Sequence, residues 1–421
     1  MMFGVIAEKY MSFRGSRRFI ERMQFKKIKR IFDHARKHSP YYADLFRKAG
    51  LKELRSWDDF RRIPVLTKED LIEHFDSIMI KDYPGVFVKT SGSSGQPSVI
   101  LKDMKSIKRT LITGHPFFIS HYAGVKIKKT ALVLIWGEQS VETMFSEDME
   151  RFFKTEKIEI NAGKRTEEIL TALVSERPDL IISYPSVFNA VFELARSEGI
   201  SLDFVKLLVL SAETINRNRL LELEDSLGCM ALDAYISTEG GLMAIEVPGH
   251  DGFLLMNDNV YLEVNDDNGD PVYEKEGNVV ITELNNFATP LLRYTGLKDR
   301  AVMSVNVKGK KYLKRITGRM IDSVLTKNGE AICPYAVTEF MEEFRSDISK
   351  FQVIQESPDS FHIKCVIRND PGGYSEGGEG YVRLKRGLER FVSHGILLRV
   401  TVSTAEEMDG DIPFRVVKRL F

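Results

Sequence analysis

The chain has 421 residues, with 60 Lys plus Arg balanced by 60 Asp plus Glu, so no broad basic field for nucleic acid or an anionic membrane is implied. Hydrophobic residues make up 43% and charged residues 29%, ordinary values for a globular protein of two or three domains. Cys229, Cys333 and Cys365 are far apart, with neither a CxxC pair for zinc nor a disulfide framework. With no apolar signal core and no run of about 18 apolar residues, the expectation is a cytoplasmic protein without a membrane span.

The opening run FRGSRRFIERMQFKKIKR sets apolar residues at helical spacing among basic ones, a solvated amphipathic helix. Further helices are predicted over SPYYADLFRKAG and TKEDLIEHF, where Thr67 followed by Asp70 is an N-cap signature. The pattern then alternates. TALVLIWG, PDLIISYPS and LDFVKLLVLSAE read as buried parallel strands, and TEEILTALVSER and PSVFNAVFELARSEG as the helices between them, which predicts a doubly wound α/β layer. From about Gly252 a period of two takes over, with DDNGD as a hairpin turn, so an antiparallel β region follows. The last 100 residues mix strands (FQVIQES, SFHIKCVIRND, ILLRVTVST) with helices (PYAVTEFMEEFR, GYVRLKRGLERFV), a small α+β domain whose NDPGGYSEGGEG reads as a mobile loop.

The stretch KTSGSSGQPSVI sets glycines and hydroxyls in a loop after a strand. Such a loop can turn several N–H groups toward phosphate oxygens, or it can be a flexible connection, and it lacks the GxxxxGK[ST] of nucleotide triphosphatases. In AYISTEGG, Tyr235 offers a stacking face, Ser237 and Thr238 hydroxyls, and Glu239 a carboxylate for Mg2+; a core tyrosine and a helix-end charge are the plainer alternatives. PLLRYTGLKDR supplies Arg293 and Asp299, and ITGRMID supplies Arg319; these suit phosphate and ribose, or a surface ion pair. IWGEQSVETMF, with Trp136, Met144 and Phe145, follows a strand, where ligand pockets of α/β folds lie. Cys333 in GEAICPYA reads as a small hydrophobe rather than a nucleophile, since no base is near it in sequence.

In this order, the loop, LVLSAE, YISTE, RYTGLKD, GRMID and a small C-terminal domain resemble the adenylate-forming superfamily, in particular its phenylacetate–CoA ligase-like branch. HSPYYADLFRKAG, IPVLTKEDL, SYPSVFNAVFELA and GEAICPYAVTEFM are similar to segments of that branch, so the resemblance covers nearly the whole chain. It implies an α/β fold with a large N-terminal adenylation domain, 1–320, which holds parallel sheets, helices and an antiparallel β subdomain. A small mobile α+β domain, 321–421, would follow a hinge near Asp322. It also implies a chemistry: a carboxylate attacks ATP to give an acyl-adenylate, and the acyl group then passes to a thiol, coenzyme A.

Carried over by position, Thr90, Ser91, Gly92, Ser93, Ser94 and Gly95 would hold the β- and γ-phosphates. Ser211, Ala212 and Glu213 would line the adenine pocket and Tyr235 would stack on the base. Thr238 would touch the α-phosphate, Glu239 would carry Mg2+, and Asp299 would bind the ribose hydroxyls with Arg319 beside it. The sequence departs from the family pattern at Gln96 and Ser98, where family loops carry a lysine, and at YTGLKD, which requires an insertion before Asp299. It departs again at Asp411, which follows Gly410 where the family has a catalytic lysine, leaving Lys418 as the nearest base. Loss of one such transition-state charge contact costs about 3–4 kcal/mol. Two alternatives therefore stand beside the acid–thiol ligase: transfer to a non-CoA acceptor such as a protein thiol, an amine or a reductase, and a catalytically degenerate nucleotide- or acyl-binding homologue.

Overall fold

The computed structural model describes residues 2–81, 83–89, 98–134, 152–213, 215, 217–319, 324–327, 331–332, 337, 340–344, 346–368, 371–392, 395–404 and 417–419. The architecture is the expected mixed α/β one, with a large mixed sheet and a smaller mixed sheet near the C-terminus. The chain divides into two compact units. The first comprises Met1–Thr130, Trp136–Ile158 and Leu232–Ile316, and the second Ala131–Ile135, Glu159–Ala231 and Thr317–Phe421.

In the first unit, the amphipathic opening helix is Arg17–His38, capped by the Ser16 side chain, which accepts from the Phe19 amide. Its buried stripe, Ile20, Gln24, Ile28, Ile31, Phe32 and Ala35, recurs every three or four residues and leaves Arg17, Arg18, Arg22, Lys26 and Arg30 exposed, whereas Lys27 turns inward to the Asp258 carbonyl and Asn285. Pro40–Lys48 follows with proline in the first turn, where a missing N–H costs nothing, and Phe46 stacks on Phe32 at 4.2 Å. Thr67 and Asp70 form a reciprocal capping box, as their spacing predicts. These helices share one core with the antiparallel strands. The strand order there is Val260–Asn265, Glu276–Glu283, Asp299–Val305, Lys311–Arg319, Phe253–Leu255, Gly241–Glu246 and Met230–Ser237. The DDNGD turn is present, closed by the Gly269 amide donating to the Asp266 carbonyl at 3.0 Å. Helix Pro116–Ala123 is opened by buried His115, whose Nδ1 accepts from the Phe117 amide while the ring stacks on Phe153 at 4.4 Å.

The second unit holds the parallel layer. Leu180–Ser183 pairs in parallel with Leu207–Ser211, and every residue of both strands is buried, which is why they read as unbroken apolar runs. Helices Thr166–Glu176 and Pro185–Ser197 flank them in sequence. Near the C-terminus the strand order is Leu397–Val402, Ser360–Ile367, Ile348–Ser357 and Val417–Arg419, with one antiparallel pair between two parallel ones. Helix Glu379–Val392 contributes Leu384, Leu388 and Val392 to the core under this sheet. The glycine-rich stretch differs from the expected mobile loop. Pro371–Tyr374 is a 3-10 turn, and Tyr374 is buried in the same core with its hydroxyl donating to Asp347 at 2.9 Å. One aromatic anchor outweighs the local entropy of its glycine neighbours. Among the described residues no helix is long and apolar enough to cross a membrane.

Candidate functional site

The glycine- and serine-rich loop joins two paired strands. Gly85–Lys89 runs antiparallel to Val99–Asp103, and the last rung before the loop is Lys89 against Val99. The hairpin's outer edge is closed by a second segment rather than by a third strand. The Leu101 amide donates to Thr289 Oγ1 at 3.0 Å, and the Asp103 amide to Asn286 Oδ1 at 3.1 Å. Asn286 Nδ2 donates back to the Leu101 carbonyl at 3.0 Å, and the Phe287 amide to Asp103 Oδ2 at 2.8 Å. Thr90, Ser91, Gly92, Ser93, Ser94, Gly95 and Gln96 lie outside the described residues, as do Trp136, Met144, Phe145 and Cys333. Ser98, the first described residue after the loop, is buried.

YISTE forms the end of a hairpin between Met230–Ser237 and Gly241–Glu246. A register shift between Tyr235 and Ile236 bulges the first strand just before the turn, a usual device for re-aiming side chains. Ser237 Oγ accepts from the Gly240 amide at 3.0 Å and tightens the turn. Gly241 has φ +64°, and a Cβ there would sit 2.8 Å from Thr110 Cγ2, so only glycine lets the chain reverse here. This turn carries Thr238, half-buried, and Glu239, which is only 7% exposed although it is an acid at a hairpin tip.

The turn's neighbour across the sheet settles where Asp299 sits. The Tyr235 hydroxyl donates to Asp299 Oδ2 at 2.5 Å, and Asp299, the first residue of its strand, is 7% exposed. Two residues 64 positions apart, both expected around a nucleoside, are thus in contact despite the insertion before Asp299. Arg293 has a different place from the one its motif suggests. Its backbone is left-handed, φ +50°, and its guanidinium is buried, donating to the carbonyls of Arg61 at 2.6 Å, Ile63 at 2.8 Å and Gly269 at 3.2 Å. It also meets Glu263 at 3.4 Å. That side chain is spent on fixing a strained turn rather than on a phosphate or a surface ion pair.

The turn orients Tyr294. Its amide and carbonyl pair with Ile281, and the neighbouring Thr295 amide donates to the Leu66 carbonyl, so the backbone is held from both sides. The side chain is fully buried, with its hydroxyl beside Ser98. Gly296 makes room for the ring, since any Cβ there would run into Tyr294 Cζ and the hydroxyl. Burial raises the phenol's pKa above its usual 10.0, and the carboxylate of Glu239 raises it further while a hydrogen bond with Ser98 lowers it.

In the second unit, Ser211 ends its buried strand and is 4% exposed. Ala212 then turns left-handed, φ +70°, an unusual conformation for a residue with a Cβ, at the carboxyl end of a parallel strand where ligand sites of open α/β sheets gather. Glu213 accepts from the Ser186 amide at 2.7 Å and the Ser186 hydroxyl at 2.8 Å, so its charge lies at the N-terminus of helix Pro185–Ser197. Arg319 closes the strand Lys311–Arg319, with its side chain outside the described residues. Lys418 lies in the final strand opposite Ile354, half-buried, while the preceding Val417 points into the core. Asp322, Gly410 and Asp411 lie outside the described residues. Among the described residues no cluster of three His, Cys, Asp or Glu side chains is spaced to hold a metal by itself. Tyr235 and Asp299 form a hydrogen-bonded pair, and Glu239 is a buried carboxylate on the turn that follows Tyr235.

No family model matches the chain. Its sequence is 24% identical over 340 residues to a phenylacetate-coenzyme A ligase of Aromatoleum evansii, a match covering 76% of this chain and 74% of that one. Among solved structures, 2-hydroxyisobutyryl-CoA ligase in the postadenylation state with R3-HIB-AMP matches 94% of this chain and 88% of its own, with a TM-score of 0.75 at 17% identity. The anthranilate CoA ligase AuaEII with anthranoyl-AMP matches with a TM-score of 0.52 at 14% identity, over 75% of this chain and 64% of its own. ATP-bound MatB from Rhodopseudomonas palustris gives a TM-score of 0.53 at 13% identity over the same shares. At these identities the structural matches show a shared fold.

Proposed function

We propose that this chain, which belongs to the adenylate-forming superfamily by its fold and its sequence similarity, activates an aryl or acyl carboxylic acid with ATP and passes the acyl group to coenzyme A. In the first step a carboxylate oxygen bonds to the α-phosphorus as the bond to the β-phosphate oxygen breaks, and pyrophosphate leaves. In the second, the thiol sulfur bonds to the acyl carbon and the bond to AMP breaks, with the thiol proton passing to solvent. Two anions must meet in the first step, so the protein's task is electrostatic: donors and metal offset the repulsion where charge develops.

The chain's own residues divide that task. Residues 90–95 hold the β- and γ-phosphates, Thr238 touches the α-phosphate, and Glu239 carries Mg2+. Tyr235 presents its ring to adenine while its hydroxyl holds Asp299 ready for the ribose hydroxyls. Ser211, Ala212 and Glu213 line the base, with Arg319 at the sugar, and Lys418 supplies the basic charge that Asp411 does not. Residues 321–421 turn about Asp322 between the two steps. The free cysteines Cys229 and Cys365 accord with a reducing cytoplasm.

The contact between Tyr235 and Asp299 carries this reading, because neither residue's sequence position alone requires the other. ATP–pyrophosphate exchange across a panel of aryl and fatty acids tests it. Exchange with at least one acid is expected, and AMP release that depends on coenzyme A identifies the acceptor. Release indifferent to coenzyme A moves the acyl group to a protein thiol, an amine or a reductase. Nucleotide binding without exchange for any acid refutes the enzyme and leaves a binding homologue.

A further inference from the structure

The second unit includes residues 159–231 and residues 317–421, and arginines and carboxylates bridge the two stretches. Glu193, on helix Pro185–Ser197, accepts from Arg219 at 3.1 Å through Oε1 and meets Arg196 at 2.8 Å through Oε2. Arg219 is itself fixed, donating to Asn189 at 2.9 Å and Glu222 at 2.6 Å with its guanidinium over the Phe192 ring. Onto this preset carboxylate comes Arg368, 175 positions further on, whose Nη2 lies 3.5 Å from Glu193 Oε1. Arg368 directly follows strand Ser360–Ile367, and its amide donates to the Asp347 carbonyl at 2.8 Å. The Asp347 carboxylate is held in turn by Tyr374 at 2.9 Å and Arg383 at 2.8 Å. Lys418 belongs to the same sheet, opposite Ile354, which pairs with His362 of the strand that leads to Arg368. A hold on Arg368 is therefore a hold on the sheet that bears Lys418.

We propose that Arg368 is a positioning residue: its ion pair with Glu193 holds residues 321–421 in the arrangement that serves the first step, and its release lets them turn for the second. The proposal rests on the adenylation reading and adds to it the contact that sets the position of those residues. The first step is the one the tie serves, because the sheet it fixes carries Lys418, the base assigned to that step. Two features of the geometry suit a tie made and broken in each turnover. Glu193 keeps Arg196 and Arg219 when Arg368 leaves, so no carboxylate is stranded. Arg368 reaches Glu193 through one nitrogen at 3.5 Å rather than as a bidentate fork, and its Nε meets no hydrogen-bond partner among the described residues, so little is lost on release.

Arg368→Gln removes the charge, and Arg368→Lys keeps it. With an acid that supports ATP–pyrophosphate exchange, Arg368→Gln should exchange about two- to fivefold more slowly. Thioester formation from supplied acyl-adenylate and coenzyme A should be as fast as before or faster. Arg368→Lys should recover most of the lost exchange, and the loss from Arg368→Gln should vanish in a Glu193→Gln background, where no charge is left to meet. Equal slowing of both steps marks a structural role and overturns the proposal, as does unchanged exchange or a loss that persists beside Glu193→Gln. Slowing of the second step alone ties Arg368 to the other arrangement and overturns it equally. An unsubstituted protein that supports exchange with no acid overturns the adenylation reading and this proposal with it.

Discussion

Replacing Tyr235 by Phe separates two roles that the same residue is given, stacking and holding Asp299. The phenylalanine ring keeps the face that adenine would meet, and only the 2.5 Å bond to Asp299 Oδ2 is lost. A hydrogen bond to a charged group contributes about 1.5–3 kcal/mol net, and at 7% exposure Asp299 has little water to replace its donor. A carboxylate freed from its donor no longer presents a fixed pair of oxygens to a ribose diol, so ATP binding should weaken by up to about 2 kcal/mol, roughly 30-fold. Calorimetric titration of both proteins with ATP and with 2′,3′-dideoxy-ATP gives four dissociation constants and closes a cycle between protein hydroxyl and ribose hydroxyls. The expected result is a large loss for ATP and little loss for the dideoxy nucleotide. Equal losses for both nucleotides, or none for either, would refute the assignment of Asp299 to the sugar.

Two further predictions concern buried charge. Arg293→Met strips the donor from three carbonyls and removes a cation from beside buried Glu263, a loss of about 3–5 kcal/mol in urea denaturation. Burial already raises the folded pKa of Glu263 above 4.5, so the native state holds that proton more tightly than the unfolded chain does, and stability from this group grows as pH falls. Without Arg293 the pKa rises further, so the variant's deficit should be largest at neutral pH and narrow toward pH 4.5; a deficit that does not vary with pH counts against this account. His115 is pushed down from 6.5 to about 4, chiefly by burial and then by Lys157. The unfolded chain therefore takes up a proton before the native one, and stability present above pH 6.5 is lost on acidification toward pH 4, by about 3 kcal/mol. His115→Asn keeps an acceptor for the Phe117 amide and should flatten that part of the stability profile, and an unchanged slope in urea melts between pH 7 and 4 would exclude the histidine as its source.

What could be read from the sequence was whatever local periodicity controls. The opening helix, the capping box at Thr67 and Asp70 and the buried strands ending at Ser183 and Ser211 follow from neighbours within a few residues. The burial of Arg293 does not, because its carbonyl partners at Arg61 and Ile63 lie 232 and 230 positions away and carry no side-chain signal. The contact of Tyr235 with Asp299 was legible only in part, since the motifs named both residues but gave no reason for a bond between them. Tyr374 shows the opposite failure, where glycines dominated the local pattern and one aromatic side chain decided the outcome.

The hairpin that bears the serine-rich loop has an evolutionary consequence. Asn286, Phe287 and Thr289 tie down the strand Val99–Asp103, and Lys89 pairs with Val99 across the hairpin, so the described contacts hold both strands at their ends next to residues 90–97. Substitutions within residues 90–97 leave each of these described contacts in place. Gln96 in place of a lysine is a change these contacts tolerate, so selection on the chemistry of residues 90–97 can act on it separately from selection on the hairpin that bears them.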